Sequence, residues 1–444
     1  MNTSDTRVAI VGGGLVGSLL ACYLGRRGFT VDVYERRPDP RAAQAERGRS
    51  INLAISERGI DALQRVGLLD SVMAPAIPMH GRVIHDTAGR LTFQSYSASG
   101  DKAINSIGRG ALNATLLDAA EATPGVTVYF DARTTGYGLA QNSLAIARGD
   151  ALEVVHADVV IASDGFGSAV RQSLEQEGRV SVTTEQEAYG YKELTIPAVD
   201  GEYAMDPDAL HIWPRGSSMM IALPNPDRSF TCTLFWPDEE FAGLTTSDQV
   251  MEHFTRVYPD AVPLMPTLIE DFAENPVGPL ATLHVDPWQA DGRVALIGDA
   301  AHAILPFFGQ GANSGFEDVV ELDRCLDETD NDWALALPLY QQRRQGNAGA
   351  IAYLAQENFI EMRDKVGSPA FRASKKVEHA LERLLPGKYL SRYEMVSFTT
   401  IPYSEVIERD KRQRSTALAT AAGVGAVAVG AALGLLARAA RKGS

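Results

Sequence analysis

Apolar runs of strand length recur along the chain and stop at the same kind of residue. Runs at 8–11, 30–34 and 159–162 are each followed within two residues by glycine or an acid, and the stretch 293–299 itself ends in Gly-Asp. Such runs predict strands, while residues 15–27 predict a helix. Because ligands of doubly wound sheets bind at the carboxyl ends of strands, this pattern predicts a ligand site at one rim of an α/β sheet.

The first strand-helix-strand segment carries a dinucleotide-binding pattern. Gly12, Gly14 and Gly17 fit G-x-G-x-x-G, with Leu15 opening the helix, and Glu35 ends the second strand. Gly12 permits the tight turn, Gly14 lets a pyrophosphate approach the backbone, and Gly17 lets the helix pack on the strand. The helix N-terminus attracts phosphate, and Glu35 can accept hydrogen bonds from ribose hydroxyls. This pattern alone leaves FAD and NAD both open.

Two further motifs favour a flavin. Asp164 follows the third strand, and Asp299 follows the fourth. A longer ligand, with a ribityl chain and a tricyclic ring, would need these extra strand ends. We expect Asp299 to hold a ribityl hydroxyl, although an aspartate here could also serve as a helix N-cap. A bare turn that could lie against the flavin ring follows at Gly309, Gln310, Gly311, Ala312 and Asn313.

Composition narrows the class of protein. The chain has 444 residues, 45% of them apolar, and a net charge of −15, which argues against a nucleic-acid partner. Cys22, Cys232 and Cys325 are far apart and show no metal-ligand spacing, so no metal is expected. The N-terminus runs directly into a strand with no signal peptide, which predicts a cytoplasmic protein.

The order and spacing of the GGGLVG, DG and GD motifs resemble the single-component flavoprotein aromatic hydroxylases. Longer strings, among them GYKEL, ALHIWP, FFGQGANSGFED and QENFIEM, resemble the members of that family that hydroxylate kynurenine. The resemblance covers about residues 7 to 405. It implies a Rossmann-like FAD-binding domain with an inserted β-sheet substrate domain and a helical C-terminal region. The expected bounds are 1–75, 105–180 and 283–335 for the first, 76–104 and 181–282 for the second, and 336–405 for the third.

The resemblance also implies an activity. FAD would be the bound cofactor, NADPH the reductant, and L-kynurenine and O2 the substrates. A flavin C4a-hydroperoxide would hydroxylate the ring beside its amine, giving 3-hydroxy-L-kynurenine on a route from tryptophan towards quinolinate and NAD. Two alternatives stay open at this point: a related flavoenzyme with another aromatic or isoprenoid substrate, and a non-catalytic binding module of the same fold.

Site residues follow by the same resemblance. A carboxylate clamp is expected at Arg82, Tyr96, Asn358 and Tyr393, and contacts to the substrate ring at Leu210, Met219, Ile221 and Phe235. Pro306 and Phe307 would sit between flavin and substrate, while Arg109 would contact FAD. Arg36 follows Glu35 in sequence, so we expect it at the adenosine end of FAD, with a phosphate of a visiting NADPH as the alternative. No side chain is expected to act as acid or base, because the ring amine of kynurenine activates its own ring. His302 is expected to be a structural, hydrogen-bonded histidine.

The C-terminus adds one open question. Residues 416–437 carry no charge and lie within a stretch, 411–442, that has basic residues at both ends. About 20 apolar residues suffice to span a bilayer, so the stretch could anchor the chain to a membrane. Its Ala- and Gly-rich composition equally fits a flexible tail.

Overall fold

A computed structural model of the protein describes residues 3–42, 52–97, 99–365, 378, 380–385 and 387–416. Its strands are β1 Arg7–Val11, β2 Thr30–Tyr34, β3 Asn52–Ile55, β4 Ile77–Met79, β5 Gly81–His85, β6 Leu91–Ser95, β7 Ile104–Gly108, β8 Val126–Tyr129, β9 Arg133–Gly138, β10 Ser143–Arg148, β11 Ala151–His156, β12 Val159–Ala162, β13 Ser181–Ile196, β14 Ala209–Arg215, β15 Ser218–Pro224, β16 Phe230–Pro237, β17 Gly278–Asp286, β18 Gln289–Ala290 and β19 Val294–Leu296.

The helices alternate with these strands in the first half of the chain and dominate its end. They are α1 Leu15–Arg26, α2 Glu57–Arg65, α3 Leu69–Met73, α4 Arg109–Glu121, α5 Ala169–Gln176, α6 Asp238–Gly243, α7 Ser247–Val257, α8 Leu268–Glu274, α9 Asp299–His302, α10 Gly311–Glu328, α11 Trp333–Ile360 and α12 Arg392–Ser397. Residues 403–416 are also helical, and Pro306–Phe308 form a 3-10 turn.

The first sheet has six strands in the order β18-β19-β12-β1-β2-β8. All neighbours from β19 to β8 are parallel, and only β18 runs antiparallel, at the edge. Strand β12 and all of β1 after its first residue are buried, because helices cover both faces of a doubly wound sheet. The strands predicted over 8–11, 30–34 and 159–162 are confirmed, and the α/β fold class with them.

The largest sheet has seven strands in the order β17-β13-β16-β15-β14-β5-β6. Strand residues alternate between its two faces. On β14, Trp213 packs into a core with Phe254 and Tyr258 from α7 and its end, whereas Leu210 faces the opposite side. One face of this sheet is therefore a conventional core, and the other is free to form the wall of a cavity.

Two smaller sheets and the C-terminal helices complete the described chain. Strands β9–β11 form one antiparallel meander, and β3-β7-β4 form the other small sheet. Arg58 of α2 is fully buried and donates to the carbonyls of Val396 (2.5 Å) and Thr399 (2.8 Å), while its guanidinium lies 3.8 Å from the Tyr403 ring centroid. These contacts fix the segment that carries α12 against α2.

The predicted domain division stays a prediction, and its boundaries do not all coincide with the ends of structural elements. The boundary expected at residue 283 falls inside β17, which continues to Asp286. The segment 76–104 divides between sheets, since β4 joins the small sheet and β5 and β6 join the large one. Residues 417–442 of the predicted membrane tail lie outside the described residues, and within the described part no helix combines the length and apolarity needed to cross a bilayer.

The glycine pattern gives a test of the first helix. A Cβ on Gly17 would lie 2.0 Å from the Gly12 carbonyl oxygen and 2.4 Å from Ser163 Oγ, so Gly17→Ala should lower the unfolding free energy by about 1–3 kcal/mol or more. The matched control is Gly346→Ala in α11, where the added Cβ meets open space, and where alanine should stabilise the helix by about 1 kcal/mol. Chemical denaturation of both variants measures this, and equal effects would contradict the packing role of Gly17.

Candidate active site

A cavity of about 480 Å³ lies between the carboxyl rim of the doubly wound sheet and the open face of the seven-stranded sheet. Residues from distant parts of the chain line it together. Of the predicted site residues, those lining the cavity are Gly14, Leu15, Arg82, Tyr96, Arg109, Leu210, Met219, Ile221, Phe235, Asp299, Pro306, Phe307, Gly309, Gly311, Ala312, Asn358 and Tyr393. Cofactor and substrate candidates thus share one space.

The glycine-rich turn has the geometry that a bound diphosphate requires. Gly12 has φ +100°, and a Cβ there would lie 2.7 Å from the Ser163 carbonyl oxygen. At Gly14, by contrast, an added Cβ meets nothing within 4 Å. Gly14 is the N-cap of the 12-residue helix α1, and no side chain caps that end. The uncapped N-terminus and the open space fit a phosphate group of FAD.

Glu35 lies at the end of β2 beside this turn. It is buried, and its Oε2 accepts a hydrogen bond from the Gly13 N–H at 2.8 Å. Its Oε1 accepts from Arg37 Nε at 2.9 Å. Neither Glu35 nor the exposed Arg36 lines the main cavity. Their expected contacts with the adenosine end of FAD therefore stay predictions.

Asp299 is the first residue of α9, and Gly298 occupies the N-cap position. The alternative that Asp299 is itself an N-cap is therefore wrong. Its carboxylate is surrounded by protein but open to the cavity, and burial raises its pKa against the opposing charges of His302 and Arg109. The exposed guanidinium of Arg109 lines the same cavity. A carboxyl group in this position can bind a hydroxyl of a ligand.

Asp164 takes a less direct position. Its Oδ2 accepts from the Ala169 N–H at 2.8 Å, while its buried Oδ1 has no hydrogen-bond donor among the described residues. Burial raises the pKa of this carboxyl group. Its neighbours Ser163 and Gly165 line the cavity, whereas Asp164 itself does not. Its role as a cofactor contact stays a prediction.

The turn after the 3-10 helix lines the cavity with glycine and alanine only. Gly309, Gly311 and Ala312 line it, and Gly309 has φ +64°. Gln310 and Asn313 do not line the cavity, and their predicted place in a turn against the flavin ring stays a prediction. Asn313 Nδ2 donates to the carbonyls of Ala54 and Gly309, both at 2.8 Å, and Gln310 Oε1 accepts from the Tyr403 hydroxyl at 2.9 Å. They hold the shape of the turn.

A buried ionic network beneath the cavity was not predicted in full. His302 was expected to be structural, and its Nε2 lies 2.5 Å from Asp318 Oδ2. Arg344 Nε donates to Asp318 Oδ1 at 2.7 Å, and the Gly298 N–H donates to Oδ2 at 3.0 Å. Burial alone would raise the pKa of Asp318, but His302 and Arg344 outweigh it and the pKa is lowered. Asp318 ends the string FFGQGANSGFED, but the sequence predicts no role for it or for Arg344, because nothing in the local sequence indicates which distant side chains they meet.

Arg82 faces the substrate end of the cavity. Its side chain is 9% exposed, and no described residue gives it a hydrogen bond or an ion pair. The guanidinium lies 5.5 Å from the Tyr96 ring and 5.3 Å from the Tyr393 ring, and these rings stack at 4.9 Å. Burial raises the pKa of both phenols, so both remain hydrogen-bond donors at neutral pH. Arg82 is thus a buried cation surrounded by donors and aromatic faces.

Asn358 stands beside this group on α11. Its Nδ2 donates to the Phe307 carbonyl at 2.7 Å and to Met362 Sδ at 3.3 Å. Phe307 in turn stacks on Phe359 with 4.1 Å between ring centroids and contacts Phe235 at 4.8 Å. Asn358 therefore fixes the backbone of the Pro306–Phe307 turn at the centre of the cavity.

The strand register explains how the apolar wall forms. Met219 pairs with Phe235, which pairs with Tyr191 on the next strand, so the three side chains form a row on the cavity face. Leu210 pairs with Arg82 and Ile221 with Thr233 in neighbouring rows. The predicted ring-contact positions all lie on this wall. Lining residues that the sequence interpretation missed include Tyr191, Thr233, Phe308 and Phe166, of which the first two share the alternation that placed Phe235.

Comparison with known proteins agrees with this geometry. A family model described as "FAD binding domain" matches residues 5–352. The tetrameric form of 2-methyl-3-hydroxypyridine-5-carboxylic acid oxygenase has a similar structure, with a TM-score of 0.68 and 21% identity over 83% of this chain and 96% of that one. At that identity, the likeness concerns the fold alone.

Sequence relatives are much closer. The kynurenine 3-monooxygenase of Myxococcus xanthus is 48% identical over 403 residues, which cover 89% of this chain and 86% of the relative. The kynurenine 3-monooxygenase of Salinispora arenicola is 42% identical over the whole length of both chains. The chain therefore belongs to the kynurenine 3-monooxygenase family of FAD-dependent enzymes.

Proposed function

We propose that this protein hydroxylates L-kynurenine to 3-hydroxy-L-kynurenine, with FAD as cofactor, NADPH as reductant and O2 as oxidant. The reaction consumes one NADPH, one proton and one O2 and releases NADP⁺ and water. The observation that carries the proposal is the unpaired, buried guanidinium of Arg82 at the end of an apolar cavity that begins at a dinucleotide-binding turn.

A buried charge without a partner costs several kcal/mol, so a ligand anion at Arg82 would recover much of that energy. A planar guanidinium suits a carboxylate, which it can bind through two parallel hydrogen bonds. The phenols of Tyr96 and Tyr393 would supply further donors, because both stay protonated. The carboxylate of an amino acid fits this end of the cavity, and its aromatic ring fits the apolar wall.

The cofactor end of the cavity fits FAD. We propose that Gly12, Gly14 and the α1 N-terminus hold the diphosphate, that Asp299 holds the ribityl chain, and that the backbone of 309–312 lies against the ring. When bound and reduced, FAD supplies the activation of O2 and the electrophilic oxygen. The rings of Phe307 and Phe235, whose centroids are 4.8 Å apart, would exclude water from the space between the cofactor and the aromatic ring of the substrate.

The titratable side chains around the cavity argue against protein acid-base chemistry at the ring. Those in its lining are Arg82, Tyr96, Arg109, Tyr191, Asp299 and Tyr393. The histidine of the predicted motif, His302, is held by Asp318 instead. An ortho-amino ketone such as kynurenine needs no deprotonation, because its amine donates electron density to the ring. The lining therefore suits an aniline substrate.

The direct test is turnover. The purified protein with FAD should oxidise NADPH slowly alone and much faster with L-kynurenine, and mass spectrometry should find a product heavier by one oxygen atom. NADPH oxidation that forms only hydrogen peroxide, with no hydroxylated product, would overturn the proposal.

Replacing Arg82 tests the carboxylate contact. Arg82→Met keeps the aliphatic length and removes the charge, so it should weaken L-kynurenine binding about tenfold or more, as expected for a charge-assisted hydrogen bond of about 1.5–3 kcal/mol. FAD content should not change. The control is Arg90→Met, directly before the neighbouring strand β6, where the side chain is 83% exposed and forms a salt bridge with Asp86. Calorimetric titration gives both dissociation constants, and similar values for the two variants would refute the role of Arg82.

Replacing Asp299 tests the cofactor contact. Asp299→Ala should weaken FAD retention about tenfold or more, because the ribityl hydroxyl loses its hydrogen bond to the carboxyl group. Asp248→Ala, an exposed aspartate in the first turn of α7, is the control. Flavin absorbance per mole of protein after gel filtration is the measurement, and full occupancy in Asp299→Ala with an unchanged melting temperature would remove Asp299 from the site.

A further inference from the structure

A second, smaller chamber of about 40 Å³ lies behind the carboxylate clamp. Five residues line both spaces and so form the wall between them: Arg82, Tyr96, Phe308, Asn358 and Tyr393. A ligand group that is held at Arg82 is therefore within reach of the side chains that only the chamber contains. Gln94 is one of these side chains.

Gln94 lies directly opposite Arg82, as its register partner on the edge strand β6. Directly opposite side chains on one face have Cβ atoms about 4.5–5.5 Å apart. Gln94 Oε1 is buried and has no hydrogen-bond donor, and no other described residue bonds to this amide. A buried carbonyl oxygen without a hydrogen-bond donor lowers the stability of the free protein, and a ligand that donates to it would remove this cost. The pair thus offers an unpartnered donor and an unpartnered acceptor side by side.

Asn358 presents a second acceptor to the same place. Its Nδ2 is already used by the Phe307 carbonyl at 2.7 Å, so the atom left for a ligand is Oδ1, which has no donor among the described residues. An amide oxygen suits a cation rather than a carboxylate. The function of Asn358 in the carboxylate clamp is therefore less natural than a contact with a positively charged group.

The charges around the chamber are compatible with a cation. Besides Arg82, its arginines are Arg392 and Arg414, and both are paired with Asp410, at 2.8 Å and 3.1 Å. Glu361 and Glu378 also line the chamber, and each has a partner of its own. An ammonium group here would meet amide oxygens, while Arg392 and Arg414 are already engaged.

We propose that Gln94, together with the Asn358 oxygen, binds the α-ammonium group of the substrate and so selects an α-amino acid over a simple carboxylic acid. The inference rests on the proposed function, since it assumes that Arg82 holds the α-carboxylate. The carboxylate and ammonium groups of an amino acid are bonded to the same carbon atom, so they lie close together. Arg82 and Gln94, which are opposite each other on neighbouring strands, are close enough to bind one group each. Gln94 is a specificity-determining residue in this scheme.

The test compares L-kynurenine with its desamino analogue, which keeps the carboxylate, the ketone and the ring amine. The full-length, FAD-loaded protein is titrated with each compound by calorimetry, and NADPH-dependent hydroxylation of each is followed. The variants are Gln94→Met, which is close in size and makes no such hydrogen bond, and Thr92→Val as control. Thr92 lies on the same face of the same strand, opposite Ile84, and lines neither cavity.

The wild type should bind L-kynurenine about tenfold or more tightly than the desamino analogue, because hydrogen bonds to a charged group are the stronger kind. Gln94→Met should lose that preference by weakening L-kynurenine alone, with analogue affinity, FAD content and melting temperature unchanged. Thr92→Val should behave as the wild type for both compounds.

Three results would overturn the proposal. Equal weakening of both compounds in Gln94→Met would mean that Gln94 only orients Arg82. An unchanged preference would mean that the amide bonds to water. A wild type without any preference would leave no ammonium site to assign. Failure of the proposed function looks different, because the wild type would then hydroxylate neither compound.

Discussion

One buried carboxylate, Asp318 of α10, joins three helices that carry residues of the cavity lining. It has no exposed surface, and it accepts hydrogen bonds from the Gly298 N–H before α9, from Arg344 of α11 and from His302 of α9. Asp299 lies on α9, the 309–312 backbone leads into α10, and Asn358 lies on α11. Because both oxygens of Asp318 have partners, the carboxylate holds these helices in fixed relative positions. Losing one partner would leave an uncompensated buried charge.

The two ends of the cavity use different chemistry. The cofactor end presents mostly backbone: the glycine turn, an uncapped helix N-terminus and the bare 309–312 turn, with Asp299 and Arg109 as the charged side chains. The substrate end presents side chains from alternate positions of the large sheet and from α11 and α12. A large cofactor with phosphate groups and a flat ring requires close backbone approach, whereas a small amino acid is distinguished by individual hydrogen bonds and shape.

Arg82 shows what the protein gives up in stability for binding. A guanidinium that is buried between Tyr96 and Tyr393, with only aromatic faces to oppose its charge, is costly in the free protein. The surrounding structure offsets this cost through the sheet and through the buried contacts of Arg58, which hold the C-terminal end of α12, the helix whose first turn carries Tyr393. In the proposed function a ligand carboxylate regains that energy, so an unsatisfied group at this point would be a source of affinity.

From the sequence alone, the doubly wound sheet, the glycine turn and the acidic residues that follow its strands could be determined, because each depends on short-range rules: strand length, the φ that glycine permits, and the residue that ends a strand. Resemblance extended this to Arg82, Tyr96 and Tyr393, which the structure brings together from three separate segments. Tertiary structure alone decided that Gln310 and Asn313 turn away from the cavity, that Asp318 and Arg344 support it, and that Gln94 stands without a partner opposite Arg82. Those facts depend on which long-range neighbours satisfy each polar group, and strand register and helix packing, not local sequence, settle that.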